Sequence, residues 1–453
     1  MAATSHLFDH ALLPSGWAQN VRVDVADGAI TQVTAGAARN GAAHVAGIAI
    51  PGLPNLHCHA FQRGMAGLAE RRGPAHDSFW TWQKVMYRFL ARITPDDAEA
   101  IAAFAYMQML ECGFTAVGEF HYLHHDIDGR PYADLGEMAA RIAAAARETG
   151  IGLTLLPTLY MHGGFGGAAP NEGQKRFLND PDRYAALVAR SREIVKALPG
   201  ARVGIAPHSL RAVTPEMLAE VVAANPEGPL HIHAAEQVKE VEDCIAALGR
   251  PPVAWLLENV GVNERWCLIH ATHMTPDETR TLAASGAVAG LCPLTEASLG
   301  DGIFDGARFI EHGGRFGVGT DSNIQIGAAA ELRQLEYTQR LRDRTRNVLS
   351  QREGDSTGLG LYTGALAGGA QALGRNIGAI EPGRRADFVV LDADHPDLAG
   401  GPQTWLDAYV FVAGSAPIQT VTVGGETLVQ DGWHMRRDAI TARYRKTVAR
   451  LTA

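Results

Sequence analysis

The sequence predicts an α/β protein, a TIM-like (β/α)8 barrel carrying a small β-sandwich domain built from both termini. Three observations predict it. Eight short apolar runs recur through the middle of the chain, each followed by a helical stretch. Both ends of the chain alternate apolar and polar residues, as half-buried strands do. Histidines and acids gather where several of the apolar runs stop.

At the N-terminus Val21, Val23 and Val25 alternate before an Asp27-Gly28 hairpin signal, with Ile30 and Val33 beyond it. The C-terminal part returns to this texture. Phe388 to Leu391 is an apolar run, and Val421-Thr422-Val423 meets Thr427-Leu428-Val429 across Gly424-Gly425. Residues 1–49 and 371–453 therefore compose the small domain, and residues 50–370 the catalytic barrel. The eight central runs begin near residues 47, 115, 151, 202, 229, 267, 287 and 316. Between them Thr94-Pro95-Asp96, Thr214-Pro215-Glu216 and Thr275-Pro276-Asp277 each offer a hydroxyl cap, a proline for the first helical position and an acid for the first turn. Gly113 and Gly286 fall where left-handed C-terminal caps belong. In the first of these helices Ile101, Phe104, Ala105 and Gln108 follow a 3.6-residue spacing, which predicts one core-facing stripe. No Gly-x-Gly-x-x-Gly follows the first run, which favours a barrel over an open doubly wound sheet.

Composition narrows the function classes. The 453 residues are 46% hydrophobic and 20% charged, which excludes a disordered chain. Lys and Arg total 40 against 49 Asp and Glu, a net charge of −9 with no basic run longer than a pair, so no nucleic-acid partner is expected. No apolar stretch reaches the roughly 18 residues of a membrane span and no leader segment opens the sequence, so a cytoplasmic protein without a membrane partner is expected. Five scattered cysteines without a Cys-x-x-Cys argue against a disulfide framework and a thiolate zinc site.

In a barrel, functional side chains sit at the C-terminal ends of strands. Run 1 ends in His57-Cys58-His59, run 5 in His231-Ile232-His233-Ala234-Ala235-Glu236, run 6 in His270 and His273, and run 8 in Asp321. Residues i and i+2 of a strand share a face, so His57 and His59 both point to the barrel axis. With His233 and Asp321 they make three imidazoles and a carboxylate, a donor set suited to zinc. His231 reads as a hydrogen-bonded structural residue, and His76 and His312 as surface residues. His124, His125, His162 and His273 are left without a role.

Pro51-Gly-Leu-Pro-Asn55-Leu-His57-Cys-His59 resembles the first-strand signature of the amidohydrolase superfamily, and His233-x-x-Glu236, His270, Thr320-Asp321-Ser322 and Ile380 to Leu391 resemble its later motifs. The His-x-x-Glu is typical of its deaminases, and Pro207-His208-Ser209 at run 4 lacks a lysine to bridge two metals. The resemblance implies one zinc ion per chain, with other divalent metals possible, on His57, His59, His233 and Asp321. It also implies a homodimer.

Five further motifs are similar to the formimidoylglutamate deiminases of histidine degradation. They are His59 to Glu70, Asp77 to Trp82, Glu119 to His125, His208 to Val213 and Thr295 to Gly302. That family hydrolyses N-formimidoyl-L-glutamate to N-formyl-L-glutamate and ammonia. By this resemblance Glu236, His270 and Asp321 are catalytic, Glu236 shuttling protons without binding zinc, while Gln62, Tyr122, His208 and Arg211 hold the dicarboxylate substrate. A guanidinium grips a carboxylate in a bidentate pair, which suits Arg211.

One departure stands out: the family usually has Arg after Trp-Thr-Trp, and here position 83 is Gln. Either Lys84 or Arg88 replaces that charge from a turn away, or Gln83 changes the far end of the substrate. Two other functions fit less well. Deamination of a nucleobase or adenosine-like substrate would not use Arg211, and a non-catalytic scaffold would not keep the donor set.

Overall fold

The computed structural model describes residues 3–73 and 76–453. The N-terminal strands β1 (Thr4–Leu13), β2 (Gly16–Ala26), β3 (Ala29–Thr34) and β4 (Ala43–Pro51) are followed by β5 (Leu53–Cys58), β6 (Phe114–His121), β7 (Gly152–Leu159), β8 (Arg202–Val203) and β9 (Ala206–Pro207). Next come β10 (Leu230–Ala234), β11 (Trp266–His270), β12 (Val288–Leu291) and β13 (Arg315–Val318). The chain then returns through β14 (Phe388–Leu391), β15 (Ile418–Val423), β16 (Glu426–Gln430) and β17 (Trp433–His434).

Strands from both termini pair into one eight-stranded sheet in the order β17-β16-β15-β14-β4-β1-β2-β3. The hairpin signals lie where expected. Val423 pairs with Glu426 and Val421 with Val429 across Gly424 and Gly425, whose φ of 59° and 80° suit a tight turn open to glycine. One face of this sheet carries its own core of Phe8, Val21, Val23, Val25, Phe388 and Val390. The alternate residues Val389, Leu391 and Val421 join the main core instead. The hydrogen bonding thus makes one continuous sheet with two apolar faces.

The eight apolar runs correspond to parallel strands. One sheet holds β5-β6-β7-β8, with β9 on β7, and a second holds β10-β11-β12-β13. Isolated bridges join the two sheets: Cys58 with Asp321, Ile205 with Leu230, and Ser209 with His233. Every residue of β5, β6, β7, β10, β11 and β12 is buried, as expected of strands covered on both faces. The first run differs from its expected form. It is two strands, because β4 pairs with β1 and β14 in the small sheet and β5 begins only after Gly52.

Two helices follow β5, α1 (Phe79–Leu90) and α2 (Pro95–Glu111). Thr94 caps α2, its hydroxyl accepting from the Asp97 N–H, and Thr214 and Thr275 cap their helices in the same way. The single stripe expected on α2 is a correction. Ala100, Ala102, Ala103, Tyr106, Met107 and Met109 outside that stripe are buried, whereas Phe104 and Gln108 within it are only half-buried, with the C-terminal helix Arg437–Thr452 packed on α2. There Tyr444 stacks on Phe104 at 3.8 Å. No helix among the described residues is long and apolar enough to cross a membrane.

Candidate active site

The ends of β5, β10, β11 and β13 bring four histidines from three strand ends and a carboxylate within reach of one centre. Asp321 Oδ1 lies 3.6 Å from His57 Nε2 and 3.3 Å from His59 Nε2, and its Oδ2 lies 3.7 Å from His270 Nε2. Donor atoms of His57, His59 and His233 fall within 4.8 Å of one another. Second partners set the rings. His59 Nδ1 sits 2.9 Å from the Phe120 carbonyl oxygen and His233 Nδ1 3.0 Å from that of His208, so each Nδ1 carries the proton and each Nε2 lone pair faces the centre. Both ring nitrogens of His57 are buried with no hydrogen-bond partner, a desolvation cost that a bound cation would remove at one of the two. Burial pushes the His57 imidazole down to about 3 and holds those of His59 and His233 low, which favours the neutral form that ligates metal. The donor set suits a divalent metal ion.

The backbone pays for this convergence with local strain. His270, Asp321 and Ala235 adopt left-handed conformations, with φ of 70°, 41° and 54°, rare for residues with a Cβ and concentrated at functional sites. Gly319 allows β13 to approach β5, since a Cβ there would come within 2.7 Å of the His57 carbonyl oxygen. Asn323 then ties the two strand ends, donating to the carbonyls of Asp321 and His59 at 2.9 and 3.1 Å.

Around this centre runs a chain of buried ionisable groups. Glu236 Oε1 lies 3.8 Å from His270 Nε2, and Glu296 Oε1 lies 3.2 Å from His270 Nδ1. Burial raises the Glu236 carboxyl to about 7, although His270 and Arg211 oppose the shift. For His270 burial works downward, but Glu236, Glu296 and Asp321 outweigh it and lift the imidazole to about 10. Burial likewise acts to raise Asp321, and here His57, His59 and His270 outweigh it and hold the carboxylate below its usual range.

A small, half-open cavity lies over the centre. Gln62, Gln83, Tyr122, His208 and Arg211 line it together with Glu236, and Phe79, Trp82 and Met86 of α1 form an apolar wall. Gln62 Nε2 donates to the Tyr122 hydroxyl at 2.8 Å, leaving Gln62 Oε1 buried and without a partner. Arg211 lies 3.8 Å from Glu236 Oε2 and 3.9 Å from Glu240 Oε2, and its Nε has no hydrogen-bond partner. Gln62 Oε1 and Arg211 Nε are thus two buried polar atoms of cavity-lining residues that a polar ligand would satisfy.

Comparison with known proteins agrees with this geometry. Residues 48–428 match the model of the amidohydrolase family, and residues 8–44 match that of the formimidoylglutamate deiminase HutF N-terminal domain. The chain is 52% identical over 429 residues, 94% of each chain, to formimidoylglutamate deiminase of Pseudomonas aeruginosa. The chain belongs to the amidohydrolase family, in its formimidoylglutamate deiminase branch. Among solved structures, an amidohydrolase from Brucella melitensis matches this amidohydrolase at a TM-score of 0.95 and 51% identity, covering 99% of this chain and 100% of that one. An adenosine deaminase from Xanthomonas campestris with bound zinc shares the fold, with a TM-score of 0.82 at 22% identity over 99% of this chain and 98% of that one.

In this amidohydrolase His59, Gln62, Gln83, Tyr122, His208, Arg211, His233, Glu236, His270 and Asp321 all border the one cavity, and His57 lies buried beside them. His231 faces away from the centre and bonds the Ala372 carbonyl at 2.7 Å. Lys84 and Arg88 do not take the place of a cavity cation. Both are exposed on α1 and neither borders the cavity, because helical phase turns them off the face shared by Phe79, Gln83 and Tyr87. Among the described residues Arg211 is the one Lys or Arg lining this cavity.

The sequence reading missed two buried acids. Glu240 accepts from the N–H groups of Ala235 and Glu236 at 3.2 and 3.1 Å, fixing the loop that presents Glu236. Glu296 accepts from the Cys292 N–H at 2.9 Å while it faces His270. A local signal existed for Glu240, an acid at the third helical position able to reach back over its helix start. Glu296 lies inside the Thr295 to Gly302 motif and reaches back over its own helix start in the same way, but its contact with His270 on another strand had no local signal.

Proposed function

We propose that this protein hydrolyses the formimidoyl C–N bond of N-formimidoyl-L-glutamate, giving N-formyl-L-glutamate and ammonia. The observation that carries the reading is the pairing of a His57, His59, His233 and Asp321 donor set with an arginine-lined cavity one side chain away. Identity of 52% to a formimidoylglutamate deiminase supports it.

Those four side chains would hold one divalent metal, zinc in this reading, which when bound supplies Lewis-acid polarisation of water and substrate. Glu236, poised near neutrality, accepts a proton from the attacking water and returns it to the departing nitrogen, so that neutral ammonia leaves. Asp321 and His270 orient that water and share its proton through the His270 contacts to both carboxylates. Arg211 pairs with a substrate carboxylate, Tyr122 and His208 add polar contacts, and Gln62 Oε1 accepts from a substrate N–H. The same reading takes residues 50–370 as a closed eight-strand barrel, supported by the bridges between its two sheets. Residues 1–49 and 371–453 then form the small β domain, its one continuous sheet folding over the separate core on one face in the manner of a sandwich.

The test is ammonia and N-formyl-L-glutamate release from N-formimidoyl-L-glutamate beside guanine and adenosine, with elemental analysis of the purified protein. Turnover of the formimidoyl compound alone and one metal equivalent per chain are expected. Two equivalents, or preference for a purine, would overturn it.

A further inference from the structure

We propose a second binding site in this protein, for a phosphate-type oxyanion, in an arginine-lined cleft where the small sheet meets the starts of the parallel strands. It does not depend on the hydrolase reading.

The cleft lies at the end of the strands remote from the metal donors. It is lined by Gly200 and by Arg202, which opens β8, whereas His57, His233 and His270 stand where their strands stop. Two more arginines border it, Arg375 just beyond the helix Thr357–Ala372 and Arg385 on the approach to β14. The guanidiniums of Arg375 and Arg385 converge over Gly200. A Cβ built on that glycine would lie 3.2 Å from Arg385 Nη1 and 3.8 Å from Arg375 Nη2. Gly200 holds a left-handed φ of 67°, which favours glycine, so no side chain separates the two like charges.

Protein groups offset these charges only in part. Arg385 Nε stands 3.1 Å from Asp387 Oδ1, and the same oxygen accepts from the Gly424 N–H at 2.7 Å. Arg375 Nη1 donates to the Leu153 and Gly200 carbonyls at 2.8 and 2.6 Å, which are dipoles without a full charge, and its buried Nε has no partner. Arg202 is exposed and has no ion-pair partner among the described residues. Burial, with Arg385 and Arg202 nearby, pulls the Arg375 guanidinium down to about 10 although Asp387 opposes the shift. Three cations thus face two acids, Asp387 and the cleft-lining Asp27.

An oxyanion between Arg375 and Arg385 offsets their repulsion, and the guanidinium fork matches two oxygens of a phosphate. Arg202 adds a further positive charge at the open side, which favours a doubly charged ion over chloride. The bound ion also strengthens the junction of the two parts of the chain. Arg385 precedes β14 of the small sheet and already donates to the Pro199 carbonyl at 3.1 Å, in the turn that leads into β8.

The test is titration calorimetry and thermal unfolding of the intact protein in chloride buffer, with inorganic phosphate, glycerol 3-phosphate or chloride added at equal ionic strength. Phosphate should bind more tightly than chloride and, at about ten times its Kd, raise Tm by about 1 to 2 °C. Arg202→Gln should weaken phosphate by about tenfold. Gly200→Asn, which sets an amide between the guanidiniums in a conformation asparagine tolerates, should weaken it at least as much. Arg211→Met, in the catalytic cavity, should leave that affinity within about twofold, separating the two sites. Tighter binding of glycerol 3-phosphate than of inorganic phosphate makes the ligand an organic phosphate, and the reverse makes it the free ion. Heat no greater than that of chloride, or an affinity that neither Arg202→Gln nor Gly200→Asn lowers, overturns the inference.

Discussion

Along β2 the buried positions Val21, Val23 and Val25 face one apolar core with Phe8, Phe388 and Val390. At the ends of β5, β10, β11 and β13 the buried positions are His57, His233, His270 and Asp321. Both regions exclude water equally well. In the small sheet exclusion stabilises the fold, since each side chain leaves water without losing a polar contact. At the strand ends it desolvates titratable groups and leaves nitrogens such as those of His57 unpaired, which costs stability and prepares a site for a ligand. Comparable burial therefore serves opposite ends, decided by whether the side chain carries a polar atom.

Removing an aromatic ring from the small sheet should give the largest change and should touch stability alone. Phe388 packs edge-on to Phe8 at 5.5 Å, and Phe388→Ala should cost about 3 to 5 kcal/mol in denaturant unfolding, with kcat of the folded enzyme unchanged. A lowered kcat would show that the two regions are coupled. Glu236→Gln should do the reverse, lowering kcat by about 100-fold or more while metal content and fold persist. Wild-type turnover in a metal-replete variant would end the proton-shuttle role.

Arg211→Met sharpens the contrast within the site. It should raise KM by about 10- to 150-fold, the loss of one charge-assisted pair, as measured by steady-state kinetics. The smallest effect is thermodynamic. Burial lifts the Glu236 pKa from its ordinary value to about 7, so between about pH 4.5 and 7 the folded state binds more protons than the unfolded. Its contribution therefore lowers stability as pH rises through that window, and the loss persists above it. Metal-free Glu236→Gln should accordingly melt above the metal-free wild type at pH 8, with the gap closing near pH 4. An equal gap at both pH values would remove the carboxylate's charge as its cause.

Much of the fold was legible in local sequence. Hairpins at Asp27-Gly28 and Gly424-Gly425 and helix starts at Thr94, Thr214 and Thr275 depend on backbone preferences a few residues long. The histidine pair of β5 was visible for the same reason, since i and i+2 share a strand face. What was missed depends on neighbours distant in sequence. The cover over the half-buried Phe104 of α2 needs Tyr444 of the distant C-terminal helix, and the role of Glu296 needs His270, 26 residues earlier.

The sequence by itself determined which segments are strands and helices, where they turn, and which side chains could ligate a metal or grip a carboxylate, because these follow from local backbone energetics and from functional-group chemistry. Only the tertiary structure decided that β4 and β5 serve different sheets, that Gln83 and not Lys84 or Arg88 meets the cavity, and that Glu236 and Arg211 stand 3.8 Å apart. Those outcomes depend on distances set when separate elements pack, and the desolvation and Coulomb energies that give the site its character vary with such distances and exist only after packing.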